Sequence, residues 1–333
     1  MDLSLWEPFV RLVCERHGLG YKQGFHGLPG TFPTFIVEPY AEGTPQSTRL
    51  IVVKFFGPLF EGADSFYIEK AMGQWLTRQS LPLRSPAILA EGQLSLDWSY
   101  LILDHIPGVS IGQVRQQLSA EAWERVAQQM GGLMKALHTA TATSLPVIPM
   151  QMSVMTWVDF IDFLEQQRVN CHANHQRWND LPPHLLEQVP NFISPVEQLV
   201  DFSSLPYLIH ADLTADHLYG RLDAASMIAE QDGPAPAPAS QWHSLAIIDW
   251  GDTRVGNILY ELVALHLDLF QADKHLLRVC LQVYDLPDFY RQDFPRKALS
   301  MVLLHQFPMP ARIYAPHQDI QSLHELAERL FGL

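Results

Sequence analysis

Two stretches of this 333-residue chain place carboxylates where they could do chemistry. The first is Tyr207-Leu-Ile-His-Ala-Asp-Leu-Thr-Ala-Asp-His-Leu-Tyr-Gly220, and the second is Leu245-Ala-Ile-Ile-Asp-Trp-Gly-Asp252. Each opens with a short apolar run of the kind that forms a buried strand. Each then reaches an aspartate followed by polar and small residues, so Asp212 and Asp249 are expected at strand ends facing a cleft. Phosphoryl transfer from a nucleotide needs such a pair. One carboxylate receives or orients the acceptor hydroxyl, and another holds a divalent cation on the phosphates, with a further ligand a few residues past the first. His210-x-Asp212-x-x-x-x-His217 followed by Asp249-Trp250-Gly251 has that spacing.

With His217 standing where asparagine is usual, the pattern resembles the aminoglycoside phosphotransferase and kinase-like family. Trp6-Glu-Pro8, Val53-Lys-Phe-Phe-Gly57, Tyr260-Glu-Leu-Val-Ala-Leu-His-Leu267 with Phe270, and Leu304-His-Gln-Phe307 resemble most closely the branch that phosphorylates the 7″ hydroxyl of hygromycin B. The resemblance covers nearly the whole chain. It implies an α+β, two-lobed, protein-kinase-like fold: a small antiparallel-sheet lobe over residues 1–103, and a larger, mainly helical lobe over 104–333. It implies ATP with magnesium, or manganese, and a small hydroxylated acceptor. It also assigns roles. Asp212 would be the catalytic base and Asp249 a metal ligand, with His217 at the second ligand position. Lys54 would neutralise phosphate charge, and Glu69 would fix Lys54. The Asp104 carbonyl and the Ile106 amide would face adenine.

His217 is the main departure. Magnesium prefers oxygen, and imidazole is a poor ligand for it. Three readings stay open: His217 binds a softer ion such as manganese, Asp216 supplies the oxygen instead, or the site holds a single metal or is inactive. A nucleotide-binding pseudokinase acting through partners is therefore the alternative to an active enzyme. Gly27-Leu-Pro-Gly-Thr-Phe-Pro-Thr34 falls where a phosphate loop is expected but lacks the Gly-x-Gly-x-x-Gly pattern.

The elements that must position these groups are legible from periodicity. Residues 4–18 read as an amphipathic helix with Leu5, Phe9, Leu12 and Val13 on one side. Phe32–Glu38 and Thr48–Phe55 read as strands joined near residues 42–45, with Lys54 at the end of the second. Glu69 falls in a helix over 63–78. Tyr100–Gly108 reads as a strand running into a Pro-Gly turn. Ser119 is a plausible N-cap for a helix running to Thr139. Its His138 is expected to be a C-terminal cation or a packed side chain. Residues 151–201 read as a helical, substrate-side insertion, in which Cys171, His172 and His175 lack a second pair of metal ligands. His210 and Glu261 are expected to hold the loop rather than react. Gly233-Pro-Ala-Pro-Ala-Pro-Ala-Ser240 reads as the exposed tip of a hairpin insertion near 221–244.

Composition narrows the partners. The net charge is −14, and it is uneven. Residues 1–150 hold 13 acidic and 11 basic side chains, whereas residues 151–333 hold 23 and 11. Such acidity argues against nucleic acid and favours a cationic acceptor near the C-terminal half. No apolar run is long enough to span a membrane. The N-terminus has no signal-peptide pattern, and three scattered cysteines suggest reduced thiols. A cytoplasmic location is expected.

Overall fold

The computed structural model describes residues 3–27, 30–41, 49–141, 145–146, 156–223, 241–317 and 319–333. Five antiparallel strands form the first layer: β1 (Leu19–His26), β2 (Thr34–Ala41), β3 (Ile51–Phe56), β4 (Ile88–Ser95) and β5 (Trp98–Asp104). Their order is β1-β2-β3-β5-β4, which puts β3 at the centre. A central strand buried on both faces is apolar throughout, and Ile-Val-Val-Lys-Phe-Phe departs from that only at Lys54. Lys54 faces Thr34 on β2 and Leu101 on β5. The two strands expected around it are present, but begin two or three residues later than the pattern suggested. The 42–45 turn lies outside the described residues.

The first helix, α1 (Leu3–Arg16), does not bury the stripe read from the sequence. Val10, Val13 and Cys14 are buried, whereas Leu5 is 69% exposed and Phe9 and Leu12 are also exposed. Trp6, Val10, Val13 and Cys14 form a second stripe at the same helical spacing, one position round the axis. The aromatic sheet face selects that stripe: Trp6 lies 5.0 Å from both Phe55 and Trp98 by ring centroids.

Helix α2 (Gly62–Leu76) carries Glu69. It starts after two left-handed residues, Phe60 and Glu61, with φ of 56° and 54°. A Cβ on Gly62 would sit 2.2 Å from the Gly57 carbonyl oxygen, so this tight entry requires glycine. Helix α2 is buried on most sides, Ile68, Met72 and Trp75 in one apolar cluster and Phe66 in another, and Glu69 is buried between them.

The rest of the chain is mainly helical and has its own core. Helices Ala120–Thr141 and Trp157–Trp178 pack with Ile258–Ala264, Lys274–Tyr284, Phe294–Leu303 and Leu323–Phe331. Ser119 caps the first of these, accepting from the Ala122 amide at 3.2 Å. Short strands lie at the front: β6 (Val109–Ser110), β7 (Tyr207–Ile209), β8 (Leu218–Asp223), β9 (Gln241–Ile247) and β10 (Arg254–Gly256). β8 pairs with β6 and β9, and β10 pairs with β7. Residues 224–240, including the Pro/Ala stretch, are not among those described. The two layers are laced together where Ile247 donates to the Arg84 carbonyl at 3.0 Å.

Several polar residues are structural. His138 stacks on Tyr207 at 3.9 Å and meets the Tyr284 hydroxyl at 2.9 Å. Burial lowers it to about 3, so it is a packed neutral ring and not a helix-end cation. Cys171 donates to the Leu303 carbonyl, and His175 lies between Asp180 and that same carbonyl. No metal cluster forms there, or elsewhere among the described residues.

The β7–β8 loop carries Asp212 and is pinned from below. Glu261 accepts from the Ala211 amide at 2.9 Å. His210 Nε2 donates to the Ile248 carbonyl at 3.0 Å, while its Nδ1 accepts from the Asp212 amide at 3.3 Å. Burial pushes the Glu261 carboxyl up to about 7, against the amide bonds of Ala211 and His210, which lower it. Between about pH 4.5 and 7 the folded protein therefore holds a proton that the unfolded chain has lost. Stability from this group is full below 4.5 and falls as pH rises to 7, by at most ~3 kcal/mol. Glu261→Gln can still accept from the Ala211 amide but has no proton to lose. It should flatten the decline in unfolding free energy across that window, measured by denaturant titration at pH 4.5 and 7. An identical slope in the variant would mean that Glu261 is not the titrating group.

Candidate active site

A cleft opens between the sheet and the helical layer. Ile36, Val52, Leu103, Ile106 and Ile248 form its apolar walls, and Lys54, Glu69, His217 and Asp249 lie at its inner end. Lys54 is 5% exposed and Glu69 6%. A buried charge must be paired, and Lys54 Nζ meets Glu69 Oε2 at 2.6 Å and Asp249 Oδ1 at 2.7 Å. Thus β3, α2 and the turn after β9 converge on one ammonium group. Burial alone would lower the Lys54 pKa, but Asp249 and Glu69 outweigh it and hold the amine charged. Burial alone would raise Asp249, but Lys54 and His217 outweigh it and keep the carboxylate ionised. Glu69, the deeper acid, is raised by burial despite Lys54.

The catalytic spacing read from sequence becomes proximity. His217 Nδ1 lies 2.6 Å from the Asp212 carbonyl oxygen, which can only accept, so this nitrogen carries the hydrogen. The Thr214 hydroxyl lies 3.2 Å from the same nitrogen. The other nitrogen, Nε2, points towards Asp249, 3.7 Å from Oδ2. The ring is enclosed. Burial opposes its charge, but Asp249 and Asp212 together raise its pKa above the ordinary imidazole range.

Asp212 has a half-buried carboxylate, and His217 Nδ1 approaches its Oδ2 only to 3.6 Å. Burial raises its pKa, opposed by His217. Both key carboxylates follow or occupy strained backbone. Asp249 has φ of 63°, and Ala211, immediately before Asp212, has φ of 67°. A left-handed non-glycine residue costs roughly 1–2 kcal/mol and persists where its surroundings over-determine it.

Asp104 and Ile106 line the cleft at the end of β5. The Asp104 carboxylate accepts from the Ala87 amide, Arg84 (3.1 Å) and Arg49 (3.0 Å), so its side chain anchors the strand end. Gly27 and Gly30 to Phe32 also line the cleft, where the phosphate loop was expected. Asp216 lines it too, and its Oδ1 accepts from the Ser110 hydroxyl at 3.3 Å. Sequence reasoning gave no role to Asp252, whose carboxyl is pushed up to about 6 by burial and by the nearby Asp212 and Asp249. Its signal was visible in the spacing, three residues after Asp249.

Comparison with known proteins bears on the fold that carries this cleft. In solved structures, the fold matches aminoglycoside 2'-phosphotransferase-IIIa in its GDP complex, with a TM-score of 0.60 and 18% identity, over 97% of this chain and 96% of that one. It matches a thermostable mutant of aminoglycoside phosphotransferase APH(4)-Ia, in a ternary complex with AMP-PNP and hygromycin B, with a TM-score of 0.55 and 17% identity, over 96% and 95%. Among curated proteins, the lysine-specific demethylase JMJ21 of Arabidopsis thaliana is 23% identical over 225 residues, which is 61% of this chain. The match spans only 23% of that relative's length. The kinase-like, two-layered fold expected from sequence is thus the fold observed. The profile of the phosphotransferase enzyme family matches residues 38–221, more than half of the chain, and the protein belongs to that family.

Proposed function

We propose that the protein transfers the γ-phosphoryl group of ATP to a hydroxyl of a small, cationic molecule. The observation that carries this reading is the convergence of Lys54, Glu69, Asp249 and His217 in one cleft, with the Asp212 carboxylate beside it, 3.6 Å from His217. Residues 1–103 would bind the nucleotide, and residues 104–333 would bind the acceptor in the cytoplasm. No helix among the described residues is long and apolar enough to cross a membrane. Two solved neighbours are complexes of kanamycin and of hygromycin B, which makes both compounds the first acceptors to test, with the 7″ hydroxyl the site to examine on hygromycin B. Retention of every charged group argues against the pseudokinase alternative.

The donor set fits a divalent cation. Asp249 offers a carboxylate oxygen kept ionised, and His217, whose Nδ1 hydrogen is held by the Asp212 carbonyl, would offer Nε2 once a cation displaces the proton that Asp249 and Asp212 favour there. A bound cation supplies positive charge to the phosphate oxygens. Mixed nitrogen and oxygen ligands favour manganese over magnesium. Asp216, already engaged by Ser110, is the less prepared ligand.

The chain's own groups divide the remaining work. The apolar walls would hold the base, with the Asp104 carbonyl and Ile106 amide at its edge. Lys54, fixed by Glu69, would neutralise the phosphates as a point charge. Asp212 would orient the acceptor hydroxyl and take its proton late in the transfer. Positioning and charge stabilisation account for most of the catalysis.

Asp212→Asn should reduce phosphate transfer on the order of 10²–10⁴-fold. ATP affinity should stay within about twofold, because Asp212 faces the acceptor side. A coupled ATP-consumption assay with hygromycin B and kanamycin, alongside a thermal-shift titration with ATP, reads both quantities. Turnover within threefold of the natural protein would remove Asp212 from its role.

Asp249→Ala should abolish the part of ATP-dependent thermal stabilisation that requires a divalent cation. His217→Asn should restore an oxygen ligand and lower the ratio of manganese-supported to magnesium-supported rate. An unchanged ratio would show that His217 only organises the loop.

A further inference from the structure

The catalytic loop is also held from its far side, by a residue outside the nucleotide cleft. After Ile258–Ala264 the helix widens into a π-helical turn, Leu265–Leu269. Phe270 donates to the Leu265 carbonyl at 3.0 Å, a five-residue step, and Ala272 donates to His266 at 2.8 Å. One extra residue in a turn rotates the downstream side chains by about 100°. Such single-turn bulges are rare and frequently lie at functional sites. The turn ends in two left-handed non-glycine residues, Gln271 (φ 51°) and Ala272 (φ 59°). The segment is therefore strained, and something must hold it.

Two polar side chains belong to the turn: His266, buried against the Leu330 carbonyl at 2.9 Å, and Asp268, which reaches the catalytic loop. Its Oδ1 accepts from the Ala215 amide at 2.9 Å, three residues after Asp212 and two before His217. Its Oδ2 meets Arg312 at 2.5 Å. The backbone beneath it is gripped as well: Arg115 donates to the Asp268 carbonyl at 3.0 Å and to the Leu269 carbonyl at 2.9 Å. Opposite, the Ala215 carbonyl accepts from Gly112 at 3.2 Å. Glu261 thus fixes the loop before Asp212, and Asp268 fixes it after.

We infer that Asp268 is a positioning residue for phosphate transfer: the π turn aims its carboxylate at the Ala215 amide, and that bond keeps Asp212 and His217 in register. The inference builds on the phosphotransferase reading of the cleft. Two features separate it from simple packing. The bond partner is a backbone amide inside the catalytic loop, and the turn that carries the carboxylate runs directly into the strained residues Gln271 and Ala272. The Arg312 pair is half-exposed and contributes little by itself. Its role is to orient the carboxylate.

The test uses the full chain and two kinds of readout. Hydrogen exchange of peptides covering 208–219 reports the loop directly and needs no acceptor. Asp268→Ala should speed exchange there at least tenfold while the Lys274–Tyr284 and Phe294–Leu303 helices exchange as before. Asp268→Asn keeps an oxygen that can accept from Ala215, and should retain most of the protection. Asp268→Ser, polar but too short to reach, should behave like the alanine variant and replaces it if that variant does not fold. In ATP-consumption assays with hygromycin B or kanamycin, the two truncations should lower kcat about tenfold or more, leave KM for ATP within twofold, and be rescued by Asn. Unchanged loop exchange in both truncations overturns the inference. So does faster exchange accompanied by an unchanged kcat. If the natural protein consumes no ATP with either acceptor, the functional reading lacks support, and loop exchange alone decides whether Asp268 holds the register.

Discussion

A buried ammonium group on the central strand sets the terms for the rest of the molecule. Lys54 has no water to solvate it, so the fold must deliver counter-charge to it. Glu69 arrives on α2, and Asp249 arrives on the turn after β9, at 2.6 and 2.7 Å. Each partner comes from a different layer. The pair of contacts therefore fixes the angle of α2, the depth of the cleft and the closeness of the helical layer to the sheet. Buried ion pairs of this kind add little net stability, because desolvation offsets their attraction. What they provide is uniqueness: few arrangements of these elements leave Lys54 satisfied. The tight entry to α2 at Gly62 reflects the same demand, since a helix starting later would carry Glu69 away from Lys54.

The carboxylate ends illustrate a second constraint. Ala211 and Asp249 both sit in left-handed backbone, which an isolated strand would not adopt. Their conformations persist because the loop is over-determined. His210 ties it to Ile248, and Glu261 ties it to the helix beneath. Polar groups beneath the loop thus carry the energetic cost of holding the carboxylates above them. This is why Glu261 can be buried at the expense of a raised pKa.

The sequence carried some of this plainly and some of it not at all. Lys54, Glu69, Asp212, His217 and Asp249 were legible because each stands at the end of a clear apolar pattern or at a fixed spacing from one. They come together in and beside one cleft because strand ends and the buried helix α2 meet there. The buried face of α1 was misread because helical spacing offered two adjacent stripes, and only the aromatic sheet face chooses between them. His138 was legible as packed but not as neutral, since its neighbours Tyr207 and Tyr284 are distant in sequence. Asp268 was invisible for a related reason. A helix read at 3.6 residues per turn points it in another direction, and nothing in local composition announces a five-residue turn. Asp104 was read for its backbone, and its side chain's role as an anchor for Arg84 and Arg49 needed the tertiary fold.

The charge of the cleft bears on how it could fill. Lys54 is the one lysine or arginine among the described residues lining it, against Glu69, Asp104, Asp216 and Asp249, with Asp212 and Asp252 close by. Arg49 and Arg84 compensate Asp104 from outside, and Lys54 is shared between two acids. A nucleotide triphosphate brings further negative charge to a site already short of cations. On the proposed reading, a divalent cation would have to accompany the nucleotide, and Lys54 would turn part of its charge from Asp249 towards the phosphates. The same excess of acid extends beyond the cleft to Asp212 and Asp252. A positively charged acceptor would be drawn there over distances comparable to the Debye length, ~8–10 Å at ordinary ionic strength. A neutral or anionic alcohol of similar shape would not be. The acidity that marks the C-terminal half of the sequence is thus consistent with discrimination between acceptors before contact, by charge, leaving shape and hydrogen bonding to act at close range.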